Sequence, residues 1–367
     1  MKRIAGAIAA VVLPISLQTL AQVPSAVVST IGSTPIVKLN SADIPEILDL
    51  IHTKISSLGF AEGWEAGTAI NQDVVVAEEI VVTRGKHIVI TSKAINERNT
   101  LLFIAKRIRI IGPADSPLSI EWQSADTGPL RDPIPIPKAA SGSPGVREGE
   151  DGKEGADGIA GNKGFRGQDA PSLIFVANRF DVSGPISFFL KGQDGGPGGA
   201  GQEGGDGGPG RPGRPGIPNI GGIGILNPSN ACQAPIKGGK GGNGGRGGDG
   251  GLGGRAGNGG TVLIVGMAVT TESIKRFVSP ESTLSAGIDG KRGKGGYGGR
   301  GGSGTPEIRG LGSCPPSVHG DGGSQGSQGN PRDDAANDSS PPRSNGLDGT
   351  FAFTILTSSQ ATSLGLR

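Results

Sequence analysis

The side chains that most often carry catalysis or metal binding are few in this chain and lie far apart. The three histidines are His52, His87 and His319, and the two cysteines are Cys232 and Cys314. A metal centre or a catalytic triad needs several such side chains at one point, and no short spacing here brings two of them together. We therefore predict structural roles for the histidines, no bound metal or other cofactor, and no enzymatic activity.

Carboxylates and glycine-rich loops raise three further kinds of chemistry. Asp126, Asp181 and Asp194 could serve a polysaccharide-cleaving site, but the sequence does not assign them to one face of a fold. Residues 244–252 come within one position of a calcium-binding nonapeptide, but the period of this region is three, so calcium is not expected. The Gly-Lys-Ser/Thr of a phosphate-binding loop does not follow any strand-like segment.

Charge and hydropathy exclude two classes of partner. The 35 basic and 33 acidic residues are interspersed, and the formal net charge is only +2. A nucleic-acid-binding surface needs a basic block or stripe, so we predict no nucleic-acid partner. After the N-terminal region, no apolar stretch is long enough to span a membrane.

The N-terminal residues predict export. Basic residues precede the apolar stretch 4–17, and residues 19–21 form a small-x-small cleavage site. A membrane-spanning helix, the alternative, needs a longer apolar run without Pro14 in its middle. We predict a signal peptide over 1–21 and a mature protein that is secreted, periplasmic or on the cell surface.

A single helix is predicted, over residues 43–58. Its apolar residues fall on one face at helical spacing. Asp43 and Glu46 form a capping-box pattern, and Gly59 ends the helix. Such a helix could dock on a membrane or a partner, but we expect it to cover an open hydrophobic end of its own domain.

Short apolar runs predict a mainly β fold. Residues 101–112 and 173–184 share one phrase, Leu-Leu/Ile-Phe-Ile/Val-Ala-x-Arg, and 262–269 begin a less faithful third copy. A further short strand follows each copy, as in the stacked coils of a solenoid; a β-sandwich, the alternative, would not repeat the phrase. We predict a β-helix-like solenoid with its N-terminal helix and coils at 22–127, further strands at 172–191 and 261–286, and a closing strand and tail at 350–367.

Between these strands, within 128–349, glycine recurs at every third residue. Glycine lets backbones approach closely, and a period of three matches a polyproline II helix, whose N–H groups need partners on neighbouring helices. The blocks 192–216 and 238–260 are nearly equal in length, which predicts a path out, a turn at 217–237 and a path back. The predicted structural glycines are Gly195, Gly198, Gly241, Gly244, Gly247, Gly250, Gly290 and Gly293.

The glycine blocks could pack in different ways. Residues 149–166 have one glycine per triplet, as collagen does, but this run is short and lacks proline. The other blocks often have two glycines per triplet and can therefore contact neighbours on two sides. We predict an intramolecular polyglycine/polyproline II bundle with the 149–166 arm at its border; a collagen-type trimer and disorder remain the alternatives.

Both cysteines fall in the turns at the far ends of these arms. We predict a Cys232–Cys314 disulfide that joins two tips, with free thiols as the alternative. The turn 217–237 is unusually apolar, which favours partner contact, although these residues could instead pack the tip shut. The candidate ligand-binding residues are Asn219, Ile220, Ile223, Ile225, Leu226, Asn227, Asn230, Glu307, Arg309 and Leu311.

In its glycine period, the region 142–349 resembles two kinds of polyglycine II protein. These are the receptor-binding adhesins of certain phage long tail fibres, which carry recognition loops at the distal end, and the glycine-rich springtail antifreeze proteins. The resemblance implies a bundle with distal loops, and the export signal departs from the phage adhesins. We expect a non-enzymatic binding or adhesion protein whose partner is a cell surface, a glycan or a protein.

Three alternative functions remain open. A structural component of the matrix or envelope would self-associate. Ice binding would require a flat regular face, which the charged Lys240, Arg246, Asp249 and Arg255 disfavour. A carbohydrate-active enzyme would require carboxylates clustered on one face of the solenoid.

Overall fold

The computed structural model describes most of the chain. The described ranges are 27–39, 44–91, 99–124, 134–218, 232–310, 314–330 and 346–367. The predicted signal peptide, residues 1–21, lies outside them. No helix within these ranges is both long and apolar enough to cross a lipid bilayer.

Strands dominate the regular structure of the described ranges, which confirms the prediction of a mainly β fold. The strands are β1 (Val27–Ile31), β2 (Thr34–Lys38), β3 (Trp64–Glu65), β4 (Ala69–Ile70), β5 (Val74–Thr83), β6 (His87–Ile90), β7 (Thr100–Ile111), β8 (Ser119–Trp122), β9 (Ser172–Val182), β10 (Ser187–Phe189), β11 (Val262–Gly266) and β12 (Phe351–Ile355). The helices are α1 (Pro45–Leu58), α2 (Thr271–Phe277) and α3 (Ser358–Ser363).

The strands form two sheets, and every pairing except β1–β2 is parallel. The larger sheet has the order β1-β2-β12-β11-β9-β7-β5-β3, and the smaller has the order β10-β8-β6-β4. From β3 to β11, strands of the large sheet alternate along the chain with strands of the small one. The repeated phrase is stacked in register, because Leu101 pairs with Leu173 and Leu173 pairs with Val262.

Alternating side chains of the large sheet enter two separate cores. Leu101 and Phe103 face the core between the sheets, where the Phe103 and Phe175 rings stack with centroids 5.1 Å apart. Leu102 and Ile104 belong to a second core on the outer face. Since the side-chain period of a strand is two, the near-continuous apolar run of β7 is explained by burial on both faces.

Helix α1 covers the outer face of the large sheet, so the expectation that it closes an open end is wrong. Its buried residues Ile47 and Ile51 join the second core. The N-cap residue is Ile44, which makes no side-chain cap, and Pro45 starts the helix. Asp43, the predicted cap, lies outside the described residues. Gly59 ends the helix at φ +67°, as predicted.

The prediction of a single helix is also wrong, because α2 and α3 are helical as well. The third copy of the phrase stops at Gly266, and the Thr270 hydroxyl then caps α2 by accepting from the Ser273 N–H at 3.1 Å. The following predicted strand is reduced to a bridge between Phe189 and Thr283. These differences coincide with the part of the copy that departs from the other two.

A charged ladder crosses the large sheet near the carboxyl ends of its strands. Arg107 pairs in register with Glu79 on one side and Arg179 on the other, and both arginines donate to the Asp181 carboxylate. Burial alone would raise the pKa of Asp181, but the hydrogen bonds from Arg179 and Arg107 outweigh it and hold the pKa below its usual 3.8.

We expect Asp181→Asn to lower the free energy of unfolding by about 1–2 kcal/mol at pH 7, since two charge-assisted bonds are lost. The folded-state pKa is depressed, so the stabilisation is present above pH 3.8 and is lost as the pH falls through the folded value. Denaturant unfolding from pH 7 to pH 2 should show the wild type and the variant converge. Asp115→Asn, at an exposed position, is the control; a difference between Asp181→Asn and wild type that persists at pH 2 would contradict this account.

Candidate functional site

Six extended segments without strand or helix leave the sheets between consecutive strands. Segments 1, 3 and 5 run away from the sheets, and segments 2, 4 and 6 return to them. Their ranges are 134–146 (segment 1), 150–171 (segment 2), 191–216 (segment 3), 236–260 (segment 4), 285–305 (segment 5) and 317–330 (segment 6).

Backbone hydrogen bonds at every third residue join these segments. In segment 2, Gly155 and Gly158 donate to Asn243 and Arg246 of segment 4 at 2.9 and 2.7 Å. Bonds of the same period connect each outgoing segment with the next outgoing one, and each outgoing segment with the returning ones beside it. The six segments therefore form a two-layer bundle in which N–H groups find acceptors on neighbouring segments.

Segments 3 and 4 occupy the middle of this bundle. Each is hydrogen-bonded to four others, whereas segment 2 is bonded to three and segment 1 to two. The middle segments often have two glycines per triplet, as segment 5 also does over 295–302, and segment 2 has one. The predicted placement of the 149–166 arm at the border is confirmed.

A recurrent dipeptide clamp joins parallel segments, and sequence reasoning missed it. In Asp151-Gly152, the carboxylate accepts the Lys240 N–H at 2.6 Å while the Gly152 N–H donates to the Lys240 carbonyl at 2.8 Å. One residue of the next segment is thus held at both its backbone groups. Eight such Asp- or Asn-led clamps occur among the described residues, and they hold Lys240, Arg246, Asn258, Ile288, Arg300, Ser324, Asn330 and Leu347. The signal was available: in seven of the eight clamps an Asp or Asn directly precedes an in-phase glycine, and in the eighth Asp169 precedes Ala170.

The eight glycines singled out from the sequence all lie where a side chain cannot fit. A Cβ on Gly195 would overlap the Gly254 carbonyl oxygen, and one on Gly244 would overlap that of Gly299. The same holds at Gly198, Gly241, Gly247, Gly250, Gly290 and Gly293 against other carbonyls. The period of three therefore reflects close approach of backbones.

At the distal end of the bundle, Cys232 and Cys314 form a disulfide with Cα atoms 5.7 Å apart, as predicted. Around it, the Gly216 N–H donates to the Pro315 carbonyl, so the end of segment 3, where the next turn begins, is also bonded to the turn before segment 6. The two turns are therefore joined covalently and through the backbone.

A third turn, between segments 1 and 2, is fixed by a carboxylate. Glu150 accepts the backbone N–H groups of Arg147 at 2.7 Å and Val146 at 2.9 Å. Those two bonds lower the pKa of Glu150, because they favour its charged form. Val146 at this turn is 78% exposed, which leaves an apolar side chain in solvent.

Of the ten candidate ligand-binding residues, the structure places two, Glu307 and Arg309. Both are exposed, and they flank Ile308, which exchanges hydrogen bonds with Ser317 at the distal end. The remaining candidates, Asn219, Ile220, Ile223, Ile225, Leu226, Asn227, Asn230 and Leu311, lie outside the described residues.

The residues considered for chemistry do not converge. His52 lies on α1, His87 on β6 contacts Glu121 at 2.9 Å, and His319 lies near the distal end. Asp181 belongs to the ladder on the large sheet, Asp194 belongs to a clamp on segment 3, and Asp126 lies outside the described residues. Across the described ranges, no group of three His, Cys, Asp or Glu residues could hold a metal ion.

Comparison with known proteins adds little to this geometry. No family model matches the chain. No curated protein matches it either. One solved structure is similar at 23% identity: the springtail antifreeze protein from Granisotoma rainieri, a bundle of nine polyproline type II helices. The match covers 50% of this chain and 93% of that protein, with a TM-score of 0.08.

Proposed function

We propose that this protein is an exported, non-enzymatic binding or adhesion protein. In this proposal, the two sheets form a β-helix-like solenoid, the six segments form a polyglycine II bundle, and the distal turns bind a cell-surface, glycan or protein ligand. The in-register stacking of the strands supports the solenoid, and the hydrogen bonds at every third residue support the polyglycine II bundle. The disulfide supports export, because disulfides persist in oxidising compartments.

The observation that carries the proposal is the covalent link at the distal end. The disulfide and the hydrogen bond from Gly216 to Pro315 hold the flanks of two turns together, so these flanks lose little conformational entropy when a partner binds. Rigid scaffolds commonly display binding loops in this way. Glu307 and Arg309 supply exposed charges of both signs at this end.

Side chains at one edge argue against tight self-association, the structural alternative. A Cβ at Gly302 would overlap the Gly208 carbonyl, and one at Gly208 would overlap the Ser143 carbonyl. Segment 1 is the last segment in this row, and its residue at the equivalent position is Ser143, which carries a side chain. A further copy could not approach segment 1 as closely as segment 3 does. Ice binding gains no support, since exposed lysines and arginines interrupt the outer rows of the bundle.

The proposal predicts that the turn 219–231 is required for binding. Replacing it with a Gly-Ser linker, while keeping Pro218 and Cys232, should weaken binding to any uncharged glycan found on an array, or to any protein found on a panel of matrix proteins, by about tenfold or more. Glu307→Ala/Arg309→Ala should weaken the same interaction. Glu272→Gln/Lys275→Gln on α2, a remote exposed pair, is the control. Full binding by the linker variant, with its disulfide intact, would overturn the proposal.

A further inference from the structure

Segment 5 carries a row of four exposed side chains, three basic and one aromatic, along the edge of the bundle. Lys291, Lys294, Tyr297 and Arg300 recur at every third residue, about 9 Å apart in an extended threefold helix, and Tyr297 is 67% exposed. The ammonium groups of Lys291 and Lys294 make no salt bridge with any described residue, whereas the charge of Arg300 interacts with the nearby Asp206 carboxylate. The row therefore presents two cations without a direct charge partner and a third beside one carboxylate.

The same edge carries backbone N–H groups whose equivalents on segment 3 are hydrogen-bonded to a neighbouring segment. In segment 3, four glycine N–H groups donate to the carbonyls of Lys294, Tyr297, Arg300 and Ser303. The equivalent glycines of segment 5 lie ninety-four residues later, which is the offset seen in the clamps between segments 3 and 5. Their N–H groups have no protein acceptor among the described residues. They belong to Gly295, Gly298, Gly301 and Gly304.

The residue before each donor distinguishes segment 5 from segments 2, 3 and 4. Segments 2, 3 and 4 each carry at least two Asp or Asn residues at that position, which accept an N–H from the next segment. On segment 5 the position is occupied by Lys294, Tyr297, Arg300 and Ser303. At this position the edge offers N–H donors and positive charge, whereas segments 2, 3 and 4 offer side-chain acceptors. A further polypeptide segment also has N–H groups that need acceptors, so it fits this edge poorly.

We propose that this edge, Lys291 to Gly304, binds a linear anionic polysaccharide. Such a chain supplies hydroxyl and carboxylate or sulfate acceptors for the N–H groups and lysines, and a sugar face for Tyr297. The spacing of the cations distinguishes it from nucleic acid, which carries one charge per about 1.7 Å of duplex axis, while this row carries one cation per about 9 Å or more. A polysaccharide charged at separate sugars fits this lower density.

Acidic groups near the row lie on segment 3 and at Asp289 of segment 5, whose carboxylate accepts the Ala256 N–H at 2.6 Å. Asp206 accepts from Lys138 Nζ and from the Arg300 N–H, both at 2.7 Å, and Asp194 accepts from the Ile288 N–H at 2.8 Å. Glu203 is exposed on the same side. The polysaccharide would therefore lie against the opposite side of segment 5, where the glycine donors are.

The test measures binding of the full-length protein to polygalacturonate, alginate and heparin, with fully methyl-esterified polygalacturonate as an uncharged probe and poly-dT as a nucleic acid. Lys291→Gln/Lys294→Gln/Arg300→Gln should raise Kd by about tenfold or more, because contacts between cations and a polyanion dominate such binding. Tyr297→Ala should weaken it further. Lys153→Gln/Lys163→Gln/Lys240→Gln removes the same charge from exposed positions on segments 2 and 4 and should change Kd by less than about twofold.

Each result decides the question. Equal Kd values for the triple variant and wild type, equal binding of the ester, tighter binding of poly-dT, or no binding of all three anionic polysaccharides would overturn the inference. Far-ultraviolet circular dichroism and the intact disulfide confirm that the variants fold. The site is separate from the distal turns, so the 219–231 linker variant should bind polygalacturonate as wild type does, and failure of one proposal leaves the other standing.

Discussion

Alanine at Gly248 should disrupt the bundle, with an expected loss of about 3 kcal/mol or more in the free energy of unfolding. Its Cβ would overlap the carbonyl oxygen of Ile159 on segment 2. Segment 4 is hydrogen-bonded to four neighbours, so it cannot move away from one without losing bonds to another. Guanidinium unfolding, together with hydrogen exchange of the segment amides, would measure the effect.

Gly322 provides the matched control. It belongs to segment 6 of the same bundle, and the atoms nearest to an added Cβ are 3.7 and 3.9 Å away. Gly322→Ala should change stability by less than about 0.5 kcal/mol or raise it slightly, because alanine restricts the unfolded chain more than glycine does. Similar losses for the two substitutions would mean that close approach of backbones is not what the period of three serves.

Removal of the disulfide should have the second large effect. The Cys232→Ser/Cys314→Ser variant is expected to lose roughly 2–5 kcal/mol, since the bond closes a sequence separation of 82 residues in the unfolded chain. The loss should be concentrated at the distal end. The amides of Gly216 and Gln233, which donate to Pro315 and Ile217, should exchange faster, while the amide of Leu173 in β9 should stay protected.

Reduction provides the control for that experiment. A thiol reductant should bring the wild type to the stability of the serine variant and leave the variant itself unchanged. Unchanged exchange at Gly216 and Gln233 after reduction would show that backbone bonds alone hold the distal turns together.

Periodicity made much of this fold readable from the sequence. The repeated phrase at 101 and 173 fixed the stacking of β7 on β9, because a parallel ladder sets like residues side by side. The glycine phase placed the two cysteines at one end, which predicted their disulfide. Both inferences rest on patterns that repeat, and a repeat constrains geometry more than any single residue does.

Features that depend on tertiary contacts at a single place could not be predicted from repeats. The apolar face of α1 indicated burial, but nothing local distinguished an open end from the outer face of the sheet. The change from strand to helix at Thr270 follows the third copy of the phrase, which differs too much from the other two to predict what comes after it. At the candidate site, Glu307 and Arg309 flank Ile308 at the distal end, and their binding of a ligand depends on partner chemistry that no period encodes.

The clamp geometry also restricts which changes of length this chain can tolerate. One extra residue within segment 4 would move every later glycine of that segment out of contact with its neighbours' carbonyls and set side chains there instead. Three extra residues would restore the phase and lengthen the segment by about 9 Å. Insertions and deletions in these segments should therefore survive in triplets, and natural variants of the bundle should differ in reach by whole turns.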